Sequence, residues 1–264
     1  MIPLKSEREL EGIRESARIL SQVLKILRAS IGPGIPTREL DRIARKEIAA
    51  FGARPAFLGY MDFPAAVCIS VNEVVIHGIP DGRRLKEGDI VSIDCGVDYE
   101  GFFSDAAFTV PVGGVAEEVR KLLEVTEESL YLGIAQARPG NRIHDVSRAV
   151  YRHARAHGLG VVREFCGHGV GLSPHEEPQI PNYVGKGRSP RIMPGMVLAI
   201  EPMFTLGADY VRILEDGWSV VPVDGSLSAH FEHTIAVLPD GPEILTDWGE
   251  ERVPLLSKQQ EGEL

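Results

Sequence analysis

The sequence predicts an α/β protein of the α+β kind, built from two similar halves. Three observations predict it: the order of helical and strand-like texture, two motifs that recur at nearly one spacing, and a carboxylate that ends an apolar strand in each copy. The first helix starts at Ser6, whose spacing to Glu9 fits a capping box, and Leu10, Ile13, Ala17, Leu20, Leu24 and Leu27 recur at helical spacing. Gly32-Pro33-Gly34 ends it. Thr37 is expected to cap a second helix, with Leu40, Ile43, Ala44 and Ile48 on one face and Gly52 past its end. Between Val67 and Val110, short β-branched runs broken by Gly, Pro and Asp predict strands and hairpins. Helical periodicity returns over 116–137 and 144–157. Strand texture then resumes after Val161 and lasts to about Leu245. The polar tail from Gly249 is expected to be loosely held.

The halves show in the spacing. Pro33-Gly34, a helix and Gly52 recur as Pro139-Gly140, a helix and Gly158, an offset of 106. Gly88, followed six residues later by Asp94, recurs as Gly195 followed by Glu201, an offset of 107. These matches predict a single catalytic unit of two half-repeats, about 33–110 and 139–238, with one site at a pseudo-symmetry axis.

Composition excludes several classes. The 264 residues, 44% hydrophobic and 25% charged, are ordinary for a globular chain. No apolar run reaches the roughly 18 residues of a bilayer span, so no membrane association is expected. The first residues lack the apolar core of a secretory signal. Cys68, Cys95 and Cys166 form no disulfide framework and no C-x-x-C pair, which suits a reducing, cytoplasmic setting. A net charge of −10 argues against direct nucleic-acid binding, which needs a basic face.

Five residues stand out as chemistry. Asp98-Tyr99-Glu100-Gly101 reads as a hairpin turn. Centred between Tyr99 and Glu100, it sets Asp94 directly opposite Asp105, with Cβ atoms about 4.5–5.5 Å apart. Two such carboxylates among Ile and Phe need a divalent cation, a pair of cations or a shared proton, unless the hairpin face is simply solvated. His168 stands between glycines in Gly167-His168-Gly169, which lets the imidazole be presented in a tight space, and His175 follows in Pro174-His175-Glu176-Glu177-Pro178. Glu201 ends an apolar strand, and Glu232 lies inside strand texture. A hairpin centred on Gly225 would set Trp218 opposite Glu232. Together Asp94, Asp105, His168, Glu201 and Glu232 offer four carboxylates and one imidazole with no thiolate. That set suits a pair of Mn, Fe, Co or Zn ions rather than a structural zinc. Such a pair can hold a bridging hydroxide and polarise a carbonyl for attack.

The order and spacing of Val75-Ile76-His77-Gly78-Ile79-Pro80, the Asp94/Asp105 hairpin, Gly167-His168-Gly169-Val170-Gly171, His175-Glu176-Glu177-Pro178, Ile200-Glu201-Pro202-Met203 and Glu232-His233-Thr234 resemble those of bacterial type I methionine aminopeptidases, over nearly the whole chain. The resemblance implies the pita-bread fold, two pseudo-symmetric halves with antiparallel sheets flanked by helices around a dinuclear metal site. It implies that Asp94 chelates one metal, His168 binds the other, Asp105 and Glu232 bridge them, and Glu201 is both ligand and proton relay. His77 would contact the peptide near the scissile bond, and His175 its carbonyl or oxyanion. Tyr60, Phe63, Cys68 and Trp218 match the pocket for the methionine side chain. Phe57, Phe63 and Pro174 depart from residues frequent in that family and alter the pocket's fine shape. Asn72, Val74 and Ser228 resemble a monovalent-cation site. The implied activity is removal of the initiator methionine from nascent polypeptides with a small second residue, by a monomer in transient ribosome contact. The alternatives are a related proline-specific pita-bread peptidase, which carries a sizeable preceding domain, and a non-catalytic pita-bread module, which usually loses ligands.

Overall fold

A computed structural model describes residues 2–187 and 189–249; the predicted loose tail, apart from Gly249, lies outside the described residues. In chain order the elements are α1 (Glu7–Ser30), α2 (Thr37–Ala50), β1 (Arg54–Pro55), β2 (Val67–Val71), β3 (Ile90–Tyr99), β4 (Phe102–Pro111), α3 (Glu117–Gln136), α4 (Ile143–Ala156), β5 (Gly160–Val161), β6 (Cys166–Gly169), β7 (Glu176–Pro181), β8 (Val197–Ile200), β9 (Met203–Thr205), β10 (Val211–Ile213), β11 (Val220–Pro222), β12 (Ser228–His230), β13 (Glu232–Leu238) and β14 (Gly241–Ile244). Ser6 and Glu9 form the capping box of α1. Thr37 is not a cap but the first residue of α2, which no side chain caps. Its hydroxyl bonds Asp81 instead, accepting from the Asp81 amide at 2.8 Å.

The main sheet runs β1-β3-β4-β13-β8-β6-β7, with β2 also on β3 and β14 also on β13. Its centre is the antiparallel pair β4–β13, which joins the two halves at Glu232↔Ala107 and His233↔Ala106. Helix α1 lies on β3 and β4, and α3 packs on α4. Phe108, Phe204, Phe231 and Trp248 are the largest fully buried side chains of the core. No helix among the described residues is long and apolar enough to cross a membrane.

The repeat seen in the spacing recurs in the backbone. Gly34 N donates to Leu85 O, and Gly140 N to Ile192 O. Leu85 N donates to Ile35 O, and Ile192 N to Asn141 O. Gly88 and Gly195 both adopt the left-handed region, at φ +87° and +89°, just before β3 and β8.

The β3–β4 hairpin differs from expectation by two residues. Tyr99 pairs with Phe102, so Glu100 and Gly101 form the turn, with φ of +53° and +83°. Positive φ at both central residues is the type I′ geometry that matches strand twist. Asp94 therefore faces Ala107 and Asp105 faces Gly96, which makes the two acids diagonal neighbours rather than opposed partners. A two-residue shift leaves both on the same face, because side chains alternate with a period of two.

Candidate metal centre

Each acid reaches the site from a strand that has its own reason to be there. Asp94 sits mid-β3 and Asp105 near the start of β4, while Glu201 follows β8 and Glu232 begins β13. His168 is on β6, paired with Ala199 of β8. Its flanking glycines are required by the fit. A Cβ at Gly167 would stand 2.4 Å from Ala199 O, and one at Gly169 2.3 Å from Glu177 O. The backbone thus approaches both neighbouring strands closely enough to push the imidazole into the cluster. His77 is held in the left-handed region at φ +60°, a strained placement for a non-glycine residue.

These residues line one cavity of about 280 Å³. All eleven sequence-predicted catalytic, metal and pocket residues face it: Tyr60, Phe63, Cys68, His77, Asp94, Asp105, His168, His175, Glu201, Trp218 and Glu232. Phe57, Met61, Ile76, Glu164, Phe165 and Cys166 complete its wall. One ligand atom each from Asp105, His168 and Glu232 lies within 4.8 Å of the others. The His168 Nε2 stands 3.5 Å from Glu201 Oε1. Around it the rings are ordered: Tyr60 stacks on His175 at 5.3 Å between centroids, His175 lies 4.1 Å from His168, and Phe63 meets Trp218 edge-on at 5.0 Å.

Trp218 reaches the cavity by a route other than the expected hairpin. Strand β11 pairs with β10, not with β12 or β13, and Trp218 sits in the turn between β10 and β11, where its amide donates to Asp216. The partner of Glu232 is Ala107. Asp216 also accepts from the Ser219 amide and hydroxyl, so this carboxylate closes the turn. Asn72 and Ser228 meet through main chain, the Asn72 carbonyl accepting from the Ser228 amide at 3.1 Å. Val74 donates to Val71 O.

Sequence reasoning passed over His230, which is 1% exposed and has its Nε2 3.4 Å from Glu201 Oε2. Its signal was present: His230 and Glu232 are two apart in strand texture, the spacing that puts side chains on one face. His233, by contrast, belongs to the core. Its ring stacks on Trp248 at 3.7 Å and its Nδ1 meets Thr246 Oγ1 at 2.8 Å.

The electrostatics of the cluster are those of acids crowded away from water. Burial pushes the Asp94 carboxyl up to about 6. Burial, then the neighbouring acids, push Asp105 and Glu232 well above the carboxylate range, and burial does the same to Glu201. The histidines move the other way. Burial lowers His168 to about 3 and His77 to about 4, and it lowers His175 and His230 as well.

The donor set fits a divalent metal on two independent grounds. Asp105 Oδ1 and Glu232 Oε1 are buried without a hydrogen-bond partner among the described residues, which is costly unless something else satisfies them. His168 Nδ1 is 2.9 Å from Gly169 O, which can only accept. The ring proton is therefore on Nδ1, and Nε2 presents its lone pair toward the acids, the orientation of a metal-binding imidazole held by a backbone carbonyl.

Residues 11–239 match the profile of metallopeptidase family M24. A methionine aminopeptidase of Clostridium perfringens is 52% identical over 246 residues, covering 93% of this chain and 99% of that protein. The crystal structure of a methionine aminopeptidase from Thermotoga maritima superposes with a TM-score of 0.91 at 42% identity, covering 94% of this chain and all of that one. A prolidase from Pyrococcus furiosus superposes with a TM-score of 0.77 at 25% identity, and this chain spans 66% of it.

Proposed function

The chain belongs to metallopeptidase family M24, and from that premise we propose how its cavity performs the reaction. It is a metal-dependent aminopeptidase of pita-bread fold that removes N-terminal methionine. The carrying observation is the convergence of four carboxyls and one neutral imidazole in a single buried cavity, with two carboxylate oxygens lacking any partner among the described residues.

Asp94, Asp105, His168, Glu201 and Glu232 would hold two divalent ions, drawn from Mn, Fe, Co and Zn. When bound, the metal polarises the scissile carbonyl and supplies a nucleophile that ionises near neutral pH. Glu201 would accept a proton from the attacking water and pass it to the departing amine. His77 and His175 are neutral at physiological pH and flank the scissile bond as hydrogen-bond donors, His175 to the oxyanion. Phe57, Phe63, Cys68 and Trp218, one apolar group in the cavity, receive the thioether side chain. Tyr60, stacked on His175, belongs with that pocket, and crowding around the scissile bond favours a small second residue. Asn72, Val74 and Ser228 offer a monovalent-cation site beside β12. The half-repeats 33–110 and 139–238 form one catalytic unit. It acts in the cytoplasm on nascent chains, as a monomer in transient ribosome contact.

Metal-free and metal-reconstituted protein compared on Met-Ala-Ser, Met-Leu-Ser and Met-Pro tests the reading. Metal-dependent cleavage of Met-Ala-Ser well above Met-Leu-Ser is expected. Metal-independent cleavage overturns the mechanism, equal cleavage of the two tripeptides overturns the size limit, and preference for Met-Pro moves the chain to the prolidase branch.

A further inference from the structure

The two halves are related about an axis that passes through the Ala107↔Glu232 pair. On one side, Asp105 is gripped by a threonine: the Thr234 hydroxyl donates to Asp105 O at 2.7 Å and accepts from Asp105 N at 3.0 Å. On the other side, the Thr109 hydroxyl donates to His230 O at 2.7 Å and accepts from His230 N at 2.9 Å. Thr109 lies four residues after Asp105, and Thr234 four after His230. The operation that exchanges the clamps therefore exchanges Asp105 with His230. It also exchanges Asp94 with Glu201, each six residues beyond an equivalent left-handed glycine.

The side chains follow the same relation. Asp94 and its diagonal neighbour Asp105 face the cavity together. Glu201 faces the equivalent neighbour, His230, with Oε2 3.4 Å from Nε2, while its Oε1 faces His168. His230 is almost fully buried, and neither ring nitrogen has a hydrogen-bond partner among the described residues. An ideal N–H···O contact is about half an ångström shorter than 3.4 Å, a gap that a small side-chain rotation closes.

We propose that His230 is a positioning residue for Glu201: its Nε2–H holds Glu201 Oε2 and so commits Oε1 to the cluster on the His168 side. The inference deepens the metal-site reading and rests on it. Without the imidazole donor, Glu201 is free to turn its carboxylate, and the ion on the His168 side loses an ordered ligand. Loss of an outer hydrogen bond to a ligand typically costs 10–100-fold in metal affinity.

The test titrates metal-free protein with Co(II) by calorimetry, records the visible cobalt spectrum, and measures kcat and KM on Met-Ala-Ser. His230→Met removes the donor while roughly keeping bulk. His230→Gln keeps a donor at Nε2 reach, and His230→Asn keeps the amide but draws it out of reach. Far-UV circular dichroism of the metal-free variants verifies folding, and Asn stands in for Met should Met not fold. The expected result is about 10–100-fold weaker binding of one Co(II) equivalent, an altered visible band and a lower kcat at unchanged KM for Met and Asn, with Gln restoring all three. Unchanged cobalt affinity and spectrum in Met and Asn overturns the proposal, as does a Gln variant no better than Met. A wild-type protein that takes up no cobalt overturns the metal-site reading itself, and this inference with it.

Discussion

Four buried acids in one cluster cannot all ionise without a counter-charge, and that sets the pH behaviour of the metal-free protein. Asp94, raised from 3.8 to about 6, contributes stability that is whole below pH 3.8 and lost as pH climbs through 6. Asp105, Glu201 and Glu232, raised well above the ordinary range, go on losing theirs at higher pH. His77 and His168 have the opposite sign: lowered to about 4 and about 3, they contribute fully above 6.5 and lose it as pH falls toward those values. Above 6.5 these two histidines have ceased to change, while the raised acids of the cluster still do. The melting temperature of metal-free protein is therefore expected to fall between pH 6.5 and about 8.5, and a saturating divalent ion is expected to abolish the fall. A flat or rising profile without metal would contradict the buried-acid account. Glu201→Gln, which removes a ligand charge and the proton relay, is expected to lower kcat by about 10²–10⁴-fold on Met-Ala-Ser. These residue identities were legible as types and spacings. His230 was legible only through its two-residue spacing to Glu232, a spacing that any inward-facing strand residue shares.

At the scale of elements, alternation fixed which face Asp94 and Asp105 share, but turn chemistry fixed the register. Glu100-Gly101 could be placed only by noticing that Gly101 and its predecessor must both take positive φ. The expected Gly225 hairpin failed for a different reason. Asp216 offers a local cap to Trp218 and Ser219, and β11 folds back on β10 before β12 begins. Thr37 likewise found a partner in Asp81, distant in sequence, which no local pattern announces. The loop that carries His175 depends on a second long-range contact. Lys5, with its side chain 1% exposed, reaches Glu176 Oε2 at 2.5 Å, and Glu176 Oε1 accepts the amides of Leu172 and Ser173. Removing one partner of a buried pair leaves the other charge uncompensated, at a cost of about 3–5 kcal/mol. Lys5→Met is expected to lose about that much in urea unfolding, and Lys5→Met with Glu176→Gln to recover part of it. A double variant no more stable than the single one would show that the pair does not act as a unit.

For the whole molecule, the spacing of 106–107 already announced two halves, and the backbone bonds at Gly34 and Gly140 repeat it in three dimensions. What spacing does not reveal is that the halves meet at two β4–β13 ladder pairs and an Ile76↔Val220 bridge, with threonine hydroxyls bonding the main chain on either side of the ladder pairs. A metal held by the proposed ligands would span that seam and stabilise the joined state alone. Chelation is expected to lower the melting temperature, by about 2.7 kcal/mol of lost stability for an ion present at a hundred times its Kd. Equal melting with and without chelator would contradict a metal held between the halves. The same seam has a consequence for biosynthesis. The ribosome delivers Asp94 and Asp105 early and Glu232 late, so the growing chain first carries an open β4 edge with two acids and no complete ligand set. With the proposed ligand set, activity is expected only once β13 has been made and has paired with β4. Until then the unfinished enzyme cannot trim any N-terminus, including its own.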